Sequence, residues 1–446
     1  MAKQNKEEIL ENLIQAARKA GADAADALLV EGVSAGVSYR LGKLEDVERA
    51  ESRDLGLRVF VGARVAFVSS TDLSEDRLAE LPERAVAMAK LAPEDKYAGL
   101  APRELLARDF PSLDLEDASE PSTEILIERA KSVEGAAMAV KGITNSEGGG
   151  ASYGRTGIAL ATSEGFRGSY AATSHGIGVA VLAGEGTGME RDYAQSNARH
   201  ASDMETPDVV GKRAGERAIK RLNPRQAKSQ RAPVIYAPRV SASLVGSFAG
   251  AISGASIARG VSFLKDKMGQ AVFGPSINII DDPHRVRGLR SKPFDGEGVA
   301  NRKMALIENG VLTAWLLDTA SARQLGLTTN GHAARGTGGP PSPSTTNLYM
   351  APGKLSPEEL MADIKDGFYV TETMGFGVNG VTGDYSQGAA GFWIENGKIA
   401  YPVSGVTIAS NLKEMFLNLT PANDLEFRHG TNAPTIRVEG MTIAGS

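Results

Sequence analysis

The chain has 446 residues, 42% of them hydrophobic, and a formal net charge of −5. That length supplies two or three cores, while the acidic balance, with Lys and Arg scattered singly, gives no basic footprint for phosphate and argues against nucleic acid as a direct partner. The chain has no cysteine, which excludes disulfides, thiolate metal ligands and a cysteine nucleophile.

The chain opens Met-Ala-Lys-Gln-Asn-Lys-Glu-Glu and runs into an amphipathic segment instead of an apolar stretch with a cleavage site, the pattern of a soluble, cytoplasmic protein. Over residues 5–20 the spacing of Ile9, Leu13, Ile14 and Ala17 predicts a helix that stops at Gly21. From Ala24 to Ser70 the pattern changes to short alternating runs, the last of which folds back as a hairpin at Gly62-Ala63. A second helix reaches Leu91 and is ended by Pro93. Residues 93–121 carry Pro93, Pro102, Pro111 and Pro121 among many acids and read as a connector lying over the surface. The order then recurs, with a helix from Ser122 to about Val140, strands over 153–186 and a helix over 207–222. An α+β unit of about 90 residues, repeated over 1–95 and 120–222, is the economical reading. Residues 1–225 form an N-terminal α+β domain on this reading, and 226–446 a second, β-rich one.

In the second half glycine-punctuated strands predominate. Strand signals lie at 233–236, 276–280, 305–308, 311–317, 346–350, 391–394 and 399–403. Asn309-Gly310 and Asn396-Gly397 supply the positive φ that tight hairpins need. Helices are expected at 318–325 and at 356–366, the latter with Ser356 and Glu359 as a capping box. The expected architecture is an antiparallel sheet or partly closed barrel with an entering helix.

That entering helix, at 239–254, has two unlike faces. Val240, Leu244, Phe248 and Ile252 make an apolar stripe, while Ser243, Gly246, Ser247, Gly250 and Ser253 leave the other face bare. Two interior glycines cost a helix roughly 2 kcal/mol relative to alanine, so something is expected to pack closely there.

Several motifs fail in context. Gly375-Phe376-Gly377-Val378-Asn379-Gly380 matches GxGxxG, yet no helix signal follows and no acid stands about 20 residues on, so a glycine-rich bend is the better reading. The five histidines, His175, His200, His284, His332 and His429, show no pair at ligand spacing. Asp281-Asp282-Pro283-His284 reads as ordinary turn chemistry more readily than as a metal cluster. Ser247 lies within a helix and not on a nucleophile elbow. The loop holding His332 and Arg335 between glycines either presents both groups to a peptide or is a plain solvated loop, and Asp384-Tyr385 in the stretch 382–388 either lines a groove or forms a polar turn.

Long stretches carry a further signal: GAISGASIARGVSFLKDKMGQ at 250–270, the run from Leu289 to Gly336, the run from Gly380 to Phe416, and the closing NDLEFR and MTIAGS. Together they closely resemble the PmbA (TldE) branch of the TldD/PmbA family, known also as modulators of DNA gyrase. The resemblance implies a two-domain α+β architecture and a heterodimer in which a TldD-like and a PmbA-like subunit make a zinc peptidase for unfolded or short peptides. In the TldD branch an HExxxH helix and a distant cysteine hold the metal. Laid on this sequence, that helix puts its histidine positions at Gly246 and Ala251 and its glutamate position at Ser247. The resemblance therefore implies a subunit with no metal of its own, inactive alone, with zinc in the TldD-like partner; on the presenting-loop reading, peptide contacts are expected near His332, Arg335, Asp384 and Tyr385. An autonomous hydrolase built on Asp281, His284 or His332, and a regulator of DNA gyrase, are the alternatives.

Overall fold

The structure, a computed structural model, describes residues 6–375 and 377–445. Helix α1 (Lys6–Lys19) buries Leu10, Leu13, Ile14 and Ala17 and ends before Gly21, whose φ of 106° favours glycine. Strands β1 (Ala24–Arg40) and β2 (Lys43–Val61) follow, far longer than the short runs expected from the sequence. Lys43 to Arg53 of β2 are solvated and charged, yet their backbone stays paired with β1, so side-chain polarity there marks an exposed face and not a turn. Strand β3 (Arg64–Ser70) returns through the Gly62-Ala63 turn, and α2 (Glu75–Leu91) follows.

The same order then repeats. Ser122 caps α3 (Thr123–Met138) by accepting from the Ile125 amide, and β4 (Ile143–Thr162), β5 (Arg167–Ala183), β6 (Glu190–Ala198) and α4 (Pro207–Lys220) come next. All six strands join one sheet, in the order β3-β2-β1-β4-β5-β6. The two units meet along β1 and β4, antiparallel from Asp26↔Thr162 to Tyr39↔Gly149. Ala25, Ala27, Leu29 and Val37 of β1 face the four helices. Leu28 faces the other way, into an apolar cluster with Leu106, Ala107, Phe166, Phe294 and Val299 that joins the two halves of the chain. The connector is thus a staple between halves and not a surface strap: its prolines prevent regular structure without preventing burial. Arg323 secures it by donating to the carbonyls of Ala98 and Leu100.

The second half opens with β7 (Gln230–Tyr236), α5 (Pro238–Ala251) and α6 (Gly254–Ala258), then β8 (Ile279–Asp281), β9 (Met304–Glu308) and β10 (Val311–Leu312). Helix α7 (Thr319–Gln324), the short pair β11 (Ala333–Ala334) and β12 (Ser342–Pro343), and β13 (Leu348–Met350) follow. After α8 (Pro357–Met361) come three long strands, β14 (Asp366–Met374), β15 (Asp384–Glu395) and β16 (Lys398–Asn411), and finally α9 (Leu412–Leu417), β17 (Leu419–Pro421), β18 (Thr431–Asn432) and β19 (Ile436–Ala444). The Ser356–Glu359 capping box is present, and both Asn-Gly turns have positive φ at each residue.

Strands β16, β15, β14, β7 and β19 form a ring, closed where β16 pairs with β19 from Thr407↔Ala444 to Ala409↔Thr442. This is the expected α+β chain with a barrel in its second half. A smaller sheet, β10-β9-β8-β13-β18, lies beside the barrel and shares its core. Val240, Leu244, Val245 and Phe248 of α5 are buried in that core.

Candidate functional site

Helix α5 turns its apolar stripe inward, and its other face is open. A Cβ added at Gly246 or at Gly250 would meet no atom within 4 Å. The close packing expected from the two glycines is therefore absent within this chain, and the bare stripe is a free surface. Ser243 and Ser247 bond back to their own helix, donating to the carbonyls of Val240 (2.7 Å) and Ser243 (2.9 Å). Gly246 and Ala251 have no donor atom to offer a metal and Ser247 is committed to the backbone, so these residues do not fit a zinc ion. Among the described residues, no three His, Asp or Glu side chains are grouped so as to hold one.

The loop of His332 and Arg335 is neither a presenting surface nor a solvated one. His332 is buried, with Nε2 3.3 Å from Asp281 Oδ2 and Nδ1 3.0 Å from Asn330 Oδ1. Asp281 is fully enclosed and also accepts from the Thr346 amide (2.7 Å) and hydroxyl (2.5 Å). This His–Asp pair has the partners of a structural network and no access for a substrate. His284 points elsewhere, its Nε2 2.7 Å from Asn301 Oδ1.

Arg335 reaches across to the N-terminal sheet. Its Nη1 stands 2.7 Å from Asp26 Oδ1, an ion pair whose angle is too poor for a hydrogen bond, and its side chain is closed from solvent. Arg58, directly opposite Asp26 in the β1–β2 register, grips the same carboxylate through Nε at 3.0 Å. Burial pushes the Asp26 carboxyl up, and the Arg335 and Arg58 guanidiniums more than cancel it, holding it below the usual carboxylate range. Glu297, 4.0 Å from Arg58, accepts from the amide and hydroxyl of Thr319 at the start of α7. Burial first, then the charge of Asp295, push its carboxyl up to about 7.

Asp384 and Tyr385 point to opposite sides of β15, as successive strand residues must. Asp384 is solvated and accepts from Thr382 and from Asn411 Nδ2 (3.0 Å), whereas Tyr385 is buried and donates to Gln387 Oε1. Of the four residues expected to touch peptide, only Asp384 is accessible. The glycine-rich stretch 375–380 is a bend between β14 and β15 with no helix after it; Phe376 lies outside the described residues.

A cleft between the halves was not foreseen. It measures about 1230 Å3 and lies between β6 and α4 on one side and β14, β15, β16 and the 426–433 segment on the other. Helix α4 turns Arg213, Arg217 and Lys220 toward it, a spacing of four and then three that places them on one face. That basic stripe was the only sign in the sequence. Every carboxylate lining the cleft is already paired: Asp192 with Arg239 and Arg221, Glu205 with Arg213 and Arg428, Glu426 with Arg428, and Asp203 with Arg287. Arg217 donates to the Tyr193 carbonyl (3.2 Å), and neither it nor Lys220 has an ion-pair partner among the described residues. Burial and the nearby Arg239 charge hold the Arg217 guanidinium below the usual arginine value. Tyr369, Phe392 and Tyr401 supply the opposite, apolar wall. Arg239 belongs both to the cleft and to α5, where it stands one turn before Ser243 on the stripe that continues through Gly246 and Gly250. The cleft and the bare stripe thus follow one another along α5.

Fold and site together define an α+β protein with a doubled helix–strand unit, a closed barrel and a barrel-entry helix lacking metal donors. Residues 25–89 match domain 1 of the PmbA/TldA metallopeptidases, 116–222 the central domain and 229–445 the C-terminal domain. A protein of Escherichia coli O157:H7 named Metalloprotease PmbA is 40% identical over 425 residues, which cover 95% of this chain and 92% of that one. The chain belongs to the PmbA/TldD metallopeptidase family. Two crystal structures share its fold: one from Bacteroides thetaiotaomicron described as a modulator of DNA gyrase, with a TM-score of 0.92, 24% identity and all of both chains covered, and TldE from Thermococcus kodakarensis, with a TM-score of 0.87, 22% identity and 98% and 99% covered.

Proposed function

We propose that this chain is the TldE-like, non-metal-binding subunit of a heterodimeric zinc peptidase, completed by a TldD-like chain that holds the zinc and acting on unfolded or short peptides. The observation that carries this reading is α5 itself: its open stripe, with Gly246 and Ser247, and the buried Ala251 leave no ligand and no general base. Zinc in the partner supplies the Lewis acid and the activated water. This chain contributes surface: a helix face of glycines and serines lets another backbone approach, and the cleft beside it holds and orients an extended ligand away from water. The name TldE of the Thermococcus kodakarensis neighbour agrees with this assignment.

The test is co-expression with the TldD-like chain of the same source, followed by metal analysis and peptidase assays of the complex and of each chain alone. The complex is expected to contain zinc and to cleave an unfolded peptide in a chelator-sensitive way, and the lone chain to do neither. Stoichiometric zinc and chelator-sensitive cleavage by the lone chain would overturn the assignment.

A further inference from the structure

The interdomain cleft carries two positive charges without an ion-pair partner among the described residues. With the four lining carboxylates already committed to arginines, Arg217 and Lys220 remain on the α4 side, and Arg217 keeps all but one of its N–H donors available. A guanidinium held partly out of water recognises a planar, two-oxygen anion best, because its parallel N–H groups match both oxygens. The facing wall is apolar and aromatic, formed by Phe392 of β15 and Tyr401 of β16 together with Tyr369 of β14. At about 1230 Å3 the cleft exceeds the roughly 300–1,000 Å3 of a site for one small molecule and holds several residues of a chain. Strand β6 borders it with a free sheet edge, but Arg213 and Arg217 already donate to the outward carbonyls of Gln195 and Tyr193. That edge is therefore closed to an added strand, and recognition falls to side chains.

We propose that this cleft binds the carboxylate end of a short peptide, with Arg217 and Lys220 on the terminal carboxylate and the aromatic wall on an apolar last side chain. The proposal rests on the peptidase-subunit reading for the choice of a peptide over another carboxylate. It makes this chain the part of the assembly that reads a free C-terminus, a role distinct from enclosing a zinc site in the partner.

The experiment is isothermal titration of the full-length chain, without any partner, with the peptide Ala-Ala-Ala-Phe, its C-terminal amide and inorganic phosphate. The free acid is expected to bind about tenfold more tightly than the amide. Arg217→Gln and Lys220→Glu are each expected to weaken the acid by about tenfold while leaving the amide unchanged. Lys220 is exposed at the rim, so its variant keeps the thermal midpoint of the parent and tests the site even where Arg217→Gln lowers it. Equal affinity for acid and amide, unchanged affinity in Lys220→Glu, or no binding of the acid at millimolar concentration would overturn the proposal. Phosphate binding as tight as that of the acid would reassign the cleft to phosphate and overturn it as well. The readout needs neither zinc nor a second chain, so its failure is separable from failure of the heterodimer.

Discussion

Asp26 is one carboxylate shared by two guanidiniums from the two halves of the chain, and that geometry fixes what its loss does. Asp26→Asn leaves Arg335 buried without its ion-pair partner and Arg58 with only Glu297 at 4.0 Å, and stability is expected to fall by about 3–5 kcal/mol. Urea denaturation measures this, and a loss under about 1 kcal/mol would show that water reaches the pair. Glu297 has the opposite sign. Its folded pKa lies above the ordinary glutamate value, so the folded state binds its proton more tightly than the unfolded one, and stability falls as pH rises from about 4.3 through about 7. Glu297→Gln keeps an acceptor for Thr319 and removes the charge. The variant is expected to lose less stability than the parent between pH 5 and pH 8, and parallel pH profiles would contradict the assignment. Little of this was legible in the sequence. His332 and Arg335 stood out as polar groups among glycines, but their burial depends on Asp281 and Asp26, which lie 51 and 309 positions earlier in the chain.

At the scale of single elements the sequence was more informative, because helices and tight turns are specified by neighbours a few residues apart. The stripe of α1, the helix beginning at Ser122, the Ser356–Glu359 capping box and both Asn-Gly turns all stand where the spacing predicts. The length of β1 and β2 was hidden, since polar residues on an open face look like breaks. For α5 the two faces were legible and the occupant of the bare one was not. The structure leaves that face empty, which gives a prediction of stabilising sign: Gly246→Ala adds a methyl group that touches nothing and is expected to stabilise the isolated chain by about 1 kcal/mol. Thermal and urea denaturation check it. A loss of stability would mean that the helix face is packed within the chain after all.

The whole molecule depends on pairings that no local pattern reveals. The ring of Phe294 meets those of Phe166 (4.9 Å between centroids), Phe110 (5.1 Å) and Tyr170 (5.4 Å), and so locks the second half onto the sheet of the first. The interdomain cleft exists because that lock and the Asp26–Arg335 pair hold the halves at one setting. Each wall of the cleft is unremarkable in sequence, and only their juxtaposition makes a site. Barrel closure belongs to the same class. Tyr236 at the end of β7 stands opposite Ile436 of β19 in the antiparallel register, with the smaller sheet and most of the second half threaded between them. During synthesis the first sheet can complete its pairings once β6 has emerged, whereas β7 must wait, with its edge unsatisfied, until almost the last residues are made. The second half therefore acquires its shape late and all at once, and the interval of a nascent chain's vulnerability, about 10–40 s at ordinary rates of synthesis, when β7 offers an open edge to other strands, is set by the distance between those two partners and not by the stability of the finished barrel.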